Sequence, residues 1–311
     1  MTIVAISGGV GGAKLASGLQ DILEPDELVI VSNTGDDFEH LGLHISPDID
    51  SVFYALAGLN DEERGWGRSG ETWQCMSAIG GLGGETWFNL GDQDLALHLE
   101  RTRRLRNGES LTDVTAAICQ AAGVPTRIIP MCDTPVPTIV HTPQGDLSFQ
   151  HYFVRDRCEP VVTGFTHRGA DAASLPATLL EIQDVEAVIV CPSNPFISIA
   201  PILAVPGMRE WLASLGVPIV AVSPLIGGEA VKGPTTKMFG ELGMSVTNAG
   251  LVQLYDGLLS GLVLDTADAH DTDQMPVGTA VTDTLMKTAA DRQRVAELAL
   301  RLADAIREPL V

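Results

Sequence analysis

The chain has 311 residues, 45% of them hydrophobic and 19% charged, which is enough apolar side chain for a large core and excludes an intrinsically disordered chain. Forty Asp and Glu against nineteen Lys and Arg leave a formal charge of −21, a field that repels nucleic acid and anionic membranes, so neither is an expected partner. No apolar run reaches the roughly 18 residues that cross a bilayer, and the opening MTIVAISGGV lacks the basic start of a secretory signal, so the expected location is the cytoplasm.

Residues 3–6 are an apolar run that stops at Ser7-Gly8-Gly9-Val10-Gly11-Gly12, and Ala13-Lys14-Leu15-Ala16-Ser17-Gly18-Leu19 then reads as a helix. This is a strand, a glycine turn and a helix. A second strand, Leu28–Ser32, runs directly into Asn33-Thr34-Gly35-Asp36-Asp37. Two such units predict a parallel sheet. The middle of the chain opens with a helix-prone stretch over 51–58 and continues through a segment rich in glycine and tryptophan to residue 88. Ser110-Leu111-Thr112-Asp113 has capping-box spacing and predicts a helix that ends at Gly123. Residues 138–153 alternate around Pro143-Gln144-Gly145-Asp146 and predict a β-hairpin. Further buried strands are expected over 187–191, before Pro192-Ser193-Asn194-Pro195, and over 218–222, before Ser223-Pro224. A last amphipathic helix is expected over 289–306. The fold expected from these elements is a Rossmann-like, doubly wound, mostly parallel α/β sheet. It would be a single domain over 1–311 with two insertions, a partly helical lid over 51–125 and a β-hairpin flank over 133–175. The five cysteines carry no CxxC spacing and read as small buried hydrophobes.

In such sheets ligands bind beyond the carboxyl ends of the strands, where the glycine turn and the polar segments would converge. The turn suits phosphate because successive backbone amides at a helix start can hold its oxygens where side chains would block them. Gly8, Gly9, Gly11 and Gly12, with Lys14, are therefore candidate nucleotide-phosphate contacts, joined by Ser193, Asn194, Ser223, Lys232 and Thr235. Gly9-Val10-Gly11 begins a dinucleotide fingerprint, but Lys14 stands at its third glycine and no Gly-Lys-Ser/Thr follows, so conventional NAD or P-loop use is not expected. Four carboxylates within fifteen residues, Asp36, Asp37, Asp48 and Asp50, suit Mg²⁺ bridging phosphates; the plainer reading is solvated turns and helix caps. Trp66, Trp73 and Trp87 would cluster in the lid, where they could stack on a flat heterocycle, and Trp211 reads as core. Arg101, Arg103, Arg104 and Arg106 follow Gly91-Asp92-Gln93-Asp94 on a predicted helix and read equally as a solvated face.

Taken together, Gly8-Gly9-Val10-Gly11-Gly12-Ala13-Lys14-Leu15, Asn33-Thr34-Gly35-Asp36-Asp37, Ser46-Pro47-Asp48-Ile49-Asp50, Gly91-Asp92-Gln93-Asp94 with His98, Pro192-Ser193-Asn194-Pro195, Lys232-Gly233-Pro234 and Thr282-Asp283-Thr284-Leu285-Met286 resemble the 2-phospho-L-lactate transferase (CofD-like) family of deazaflavin coenzyme F-420 biosynthesis. The resemblance covers essentially the whole chain. It implies a magnesium-dependent enzyme that moves a phospho-acid from a GDP-linked donor, such as lactyl-2-diphospho-5′-guanosine, to a deazariboflavin and releases GMP. A guanylyltransferase that supplies the donor is then an expected partner, and a homodimer is an assembly the reading allows. By the same resemblance Asp50 and Asn89 bind the acceptor; Trp66 and Trp87 of the lid, from their flat faces alone, are added as candidate acceptor contacts. Asp50, Asp36 and Asp37 are the candidate catalytic residues, and Asp36, Asp48 and Asp50 the candidate metal ligands. Some members carry lysine where this chain has Asn89. The alternative is a nucleotide-sugar-binding regulator of the gluconeogenesis-factor type, whose second-strand segment reads Asp-Asp-Gly-Gly.

Overall fold

The computed structural model describes residues 1–231 and 233–307. Its strands, in chain order, are β1 (Thr2–Ser7), β2 (Leu28–Ser32), β3 (Phe38–His40), β4 (Leu43–Ile45), β5 (Arg127–Pro130), β6 (Thr138–Thr142), β7 (Gly145–Ser148), β8 (Gly164–His167), β9 (Val185–Val190), β10 (Ile219–Val222), β11 (Leu225–Ile226), β12 (Glu229–Ala230), β13 (Gly261–Asp265) and β14 (Gly278–Thr282). Seven of them form one parallel sheet in the order β14-β13-β10-β9-β1-β2-β5. The four strands expected from the sequence are its four contiguous central members, β10-β9-β1-β2.

Strand alternation divides the core into two layers. Val4 and Ile6 of β1, with Val29, Val31, Val188 and Val190, face a layer that includes Phe196, Ile202, Trp211 and Phe239. Ile3 and Ala5, with Leu28, Ile30 and Ile189, face helices α1 (Gly9–Ile22) and α2 (Pro47–Leu56) and the last helix, Ala289–Arg307. Helices on both faces are what an all-parallel sheet requires, because both of its faces are apolar. The fold is thus α/β and Rossmann-like, with added antiparallel pieces.

Most of those pieces lie between β2 and β9; the short pair β11–β12 follows β10. The hairpin β3–β4, α3 (Gln74–Gly81) and the start of α4 (Asp92–Arg106) share a small core of Ile45, Met76, Leu90 and Leu95. After α5 (Leu111–Ala121), capped by Ser110 Oγ accepting from the Asp113 amide at 3.0 Å, Gly123 turns with φ 72°. The hairpin β6–β7 gains a third strand, β8, and its alternation stops short of residue 153 because His151–Arg155 forms a π-helical turn. Helix α2 begins at Pro47, four residues before the start expected from the sequence; proline at the first helical position and Asp48 and Asp50 in the first turn favour an N-terminus there. Cys119, Cys132 and Cys191 are buried as expected, but Cys158 is half-buried and Cys75 lies exposed on α3, whose Met76 and Ile79 are the residues that face the small core. No single helix among the described residues is long and apolar enough to cross a membrane.

Candidate active site at the strand ends

Beyond β2 the chain turns through Asn33, which is fully buried and organises the site. Its Nδ2 donates to Asp48 Oδ2 at 2.9 Å, to Asp36 Oδ1 at 3.4 Å and to the Ile197 carbonyl at 3.2 Å, while its Oδ1 accepts from the Gly35 amide. Asp36 and Asp48, from two different elements, are thereby held against one another under about 6% exposure. Burial first, and then the neighbouring charges of Asp48 and Asp37, push the Asp36 carboxyl well above the usual carboxylate range. Burial pushes Asp48 up to about 7 against the hydrogen bonds it accepts from Asn33 and the Gly9 amide. Gln150, from the flank insertion, donates to the carbonyl and Oδ2 of Asp36, both at 3.3 Å. Asp37 turns the other way, accepting from Ser46 Oγ at 2.8 Å and meeting His44 Nε2 at 3.1 Å, so it belongs to the wall of the hairpin β3–β4.

The glycine turn serves close packing in this arrangement. A Cβ on Gly8 would lie 2.6 Å from that of Ser198 and 2.7 Å from Asp48 Oδ2, one on Gly11 would strike the Pro192 carbonyl, and one on Gly12 would lie 2.5 Å from Ser7 Oγ. Gly9 has φ +66°, a conformation in which a side chain is strained. The first anion met by the start of α1 is the chain's own Asp48, through the Gly9 amide. Ser193 Oγ accepts from the Gly8 amide at 3.3 Å and donates to its carbonyl at 2.7 Å. Asn194 caps the turn that follows β9 and donates to Thr235 Oγ1 at 3.0 Å, and Ser223 Oγ donates to Asn248 Oδ1 at 2.6 Å. Lys14 departs from this group: its Nζ donates to the Met286 carbonyl at 2.8 Å, and it lines a separate cavity of about 70 Å³ with Tyr54, Trp66, Lys287 and Arg292. Lys232 lies outside the described residues.

Asp50 does not join Asp36 and Asp48. Both of its oxygens meet the guanidinium of Arg101, one at 3.0 Å from Nη1 and the other against Nη2, and Arg101 is only 1% exposed. Asp50 is thus paired with a cation from α4 instead of sharing the Asn33 contact that links Asp36 and Asp48. Among the described residues no three His, Cys, Asp or Glu side chains converge as metal ligands. What the site offers a metal is the Asp36–Asp48 pair, which fits Mg²⁺, an ion usually held by one or two carboxylates together with substrate phosphates. The expectation of a solvated arginine face holds for Arg103 and Arg106 and fails for Arg101.

The three lid tryptophans separate. Trp66 and Trp73 stand 6.5 Å apart with the Arg64 guanidinium 5.2 and 5.0 Å from their rings, so a cation rather than a flat ring already occupies their faces. Trp87 packs elsewhere, 5.1 Å from His40 and 4.8 Å from His151. Asn89 is exposed just before the buried Leu90 and the start of α4. Sequence reading missed Asn33, Gln150 and Arg101 as site residues. Asn33 and Arg101 stood inside or beside quoted motifs, whereas nothing in its own sequence context marks Gln150.

Comparison with known proteins identifies the family and the fold. The profile of the family "2-phospho-L-lactate transferase CofD" matches residues 3–305. A phosphoenolpyruvate transferase of Kitasatospora aureofaciens is 38% identical over 99% of both chains. A 2-phospho-L-lactate transferase of Methanosarcina mazei is 37% identical over 96% of this chain and 99% of its own. A UPF0052-family protein of Bacillus halodurans has the same fold, with a TM-score of 0.61 at 14% identity over 96% of this chain and 98% of its own. The chain belongs to the CofD family of 2-phospho-L-lactate transferases.

Proposed function

We propose that this enzyme transfers a phospho-acid group from a GDP-linked donor, such as lactyl-2-diphospho-5′-guanosine, to a hydroxyl of 7,8-didemethyl-8-hydroxy-5-deazariboflavin, releasing GMP, in coenzyme F-420 biosynthesis. The observation that carries the reading is the buried Asp36–Asp48 pair at the strand ends, whose mutual repulsion a cation bound with a diphosphate would relieve. Mg²⁺, when bound, supplies charge neutralisation at the diphosphate, and Asp36 and Asp48 would hold it. Asn194 and Thr235, linked through their side chains, and Ser223 beyond β10 would receive the nucleotide end of the donor. Asp50 would accept the hydrogen bond of the attacking hydroxyl, and Trp87, with Asn89, would line the acceptor's side. Such transfer depends mainly on positioning and charge stabilisation.

Relatives carry both phosphoenolpyruvate and phospho-L-lactate in their names, so the acid is the variable to test. The purified chain, Mg²⁺, deazariboflavin, GTP and a guanylyltransferase are incubated with phospholactate, phosphoenolpyruvate or phosphoglycerate in turn, and product mass and GMP are followed. One acid should give a product heavier than deazariboflavin by its phospho-acid group less water, with equimolar GMP. Absence of both with all three acids would sink the reading.

A further inference from the structure

Helices α2 and α4 are joined by a buried polar ladder. Asp50 and Tyr54 stand one turn apart on α2; Asp94, His98 and Arg101 follow at helical spacing on α4. The rungs are Asp50–Arg101 and Tyr54–Asp94, so the two helices pair in opposite directions. Between the rungs sits His98, 1% exposed, its Nδ1 3.3 Å from Arg101 Nη1 and its Nε2 3.2 Å from Asp94 Oδ1. A guanidinium can only donate, so in this contact Nδ1 is the acceptor.

We propose that Arg101 is a positioning residue of the transfer reaction, fixing the Asp50 carboxylate as a charged hydrogen-bond acceptor for the attacking hydroxyl. The proposal rests on the reading that Asp50 meets the acceptor. A buried ion pair rarely stabilises a fold more than a well-packed apolar pair of the same volume, so stability alone does not account for burying a guanidinium here. What an apolar pair cannot do is present a fixed negative charge at the start of α2. The two-point contact stops the carboxylate from rotating and leaves a lone pair on each oxygen for a ligand. His98 and Asp94 seat the guanidinium in turn. Arg101 acts through Asp50 and touches neither substrate.

The test compares Asp50→Asn, Arg101→Met, Arg101→Lys and the double variant Asp50→Leu/Arg101→Met, with kcat, KM for deazariboflavin and for the donor, and thermal melts. Arg101→Met should lower kcat about a hundredfold and leave donor KM within about threefold, and Arg101→Lys should recover all but about tenfold of kcat. The double variant, which removes both charges of the Asp50–Arg101 pair, should melt near the parent and remain as slow as Arg101→Met. A purely structural role predicts instead that Arg101→Met loses folded protein without losing kcat per folded molecule, or that the double variant regains activity; either overturns the proposal. If Asp50→Asn retains parental kcat and acceptor KM, the reading of Asp50 fails and the proposal with it. If Asp50→Asn is impaired and Arg101→Met is not, the proposal alone fails.

Discussion

Each member of the Asp36–Asp48 pair makes the other more costly to bury: desolvation raises both carboxyls, and the neighbouring negative charge raises Asp36 further. Replacing Asp36 by Asn removes one charge and keeps the shape and one acceptor oxygen, so it gives up one of two long contacts, from Asn33 at 3.4 Å or from Gln150 at 3.3 Å. The expected outcome is a melting temperature at or a few degrees above the parent's together with turnover reduced by about a hundredfold or more, the pattern of a site that trades stability for function. A melt lowered by several degrees with turnover intact would show that the pair is structural. Arg101 illustrates the limit of residue-level reading. Its neighbours Arg103 and Arg106 carry the same charge on the same helix, and only the arrival of Asp50 from α2 distinguishes the buried arginine from the exposed ones.

Elements whose signal is local were legible in the sequence: the apolar run of β1 before its glycines, the Ser110 cap with Gly123 after it, and the periodicity of the last helix. What escaped depends on partners distant in the chain. Arg127–Pro130 is too short and mixed to read as a strand until it lies beside β2, and the hairpin β6–β7 gives no hint that β8 will join it or that Gln150 beyond it will reach Asp36. The added strand β8 carries its own pH signature. Burial pushes the His167 imidazole down to about 4 from its ordinary 6.5, with Nδ1 3.2 Å from Thr138 Oγ1. The unfolded chain therefore binds a proton near pH 6.5 that the folded chain refuses until about pH 4. Stability from this group is full above the unfolded value and is lost as pH falls through the interval between the two. His167→Gln keeps a polar contact and does not titrate. Relative to the parent, its melting temperature should improve by about 2–5 °C between pH 7.5 and 4.5. A constant difference across that range would show that His167 is protonated as readily when folded.

At the scale of the whole molecule the dominant quantity is the charge of −21. Many of its ion pairs lie on the surface, such as Arg103–Glu100 and Arg301–Glu297, and exposed pairs contribute little, about 0–1 kcal/mol each. The surplus of acids repels itself more strongly in the compact state than in the expanded chain. Monovalent salt screens that repulsion, with a Debye length falling from about 30 Å at 0.01 M to about 10 Å at 0.1 M. The melting temperature should therefore rise by several degrees between 0.01 and 0.3 M KCl and then level off, a flat or falling curve being the result that contradicts it. Magnesium separates this general field from the local one. On the proposed reading that the Asp36–Asp48 pair holds Mg²⁺ in the folded state only, MgCl₂ should stabilise the parent beyond KCl at matched ionic strength. In Asp36→Asn that extra increment should vanish while the KCl curve persists. If the increment survives the substitution, Mg²⁺ acts on the acidic surface at large, and the strand-end pair is not where it is held.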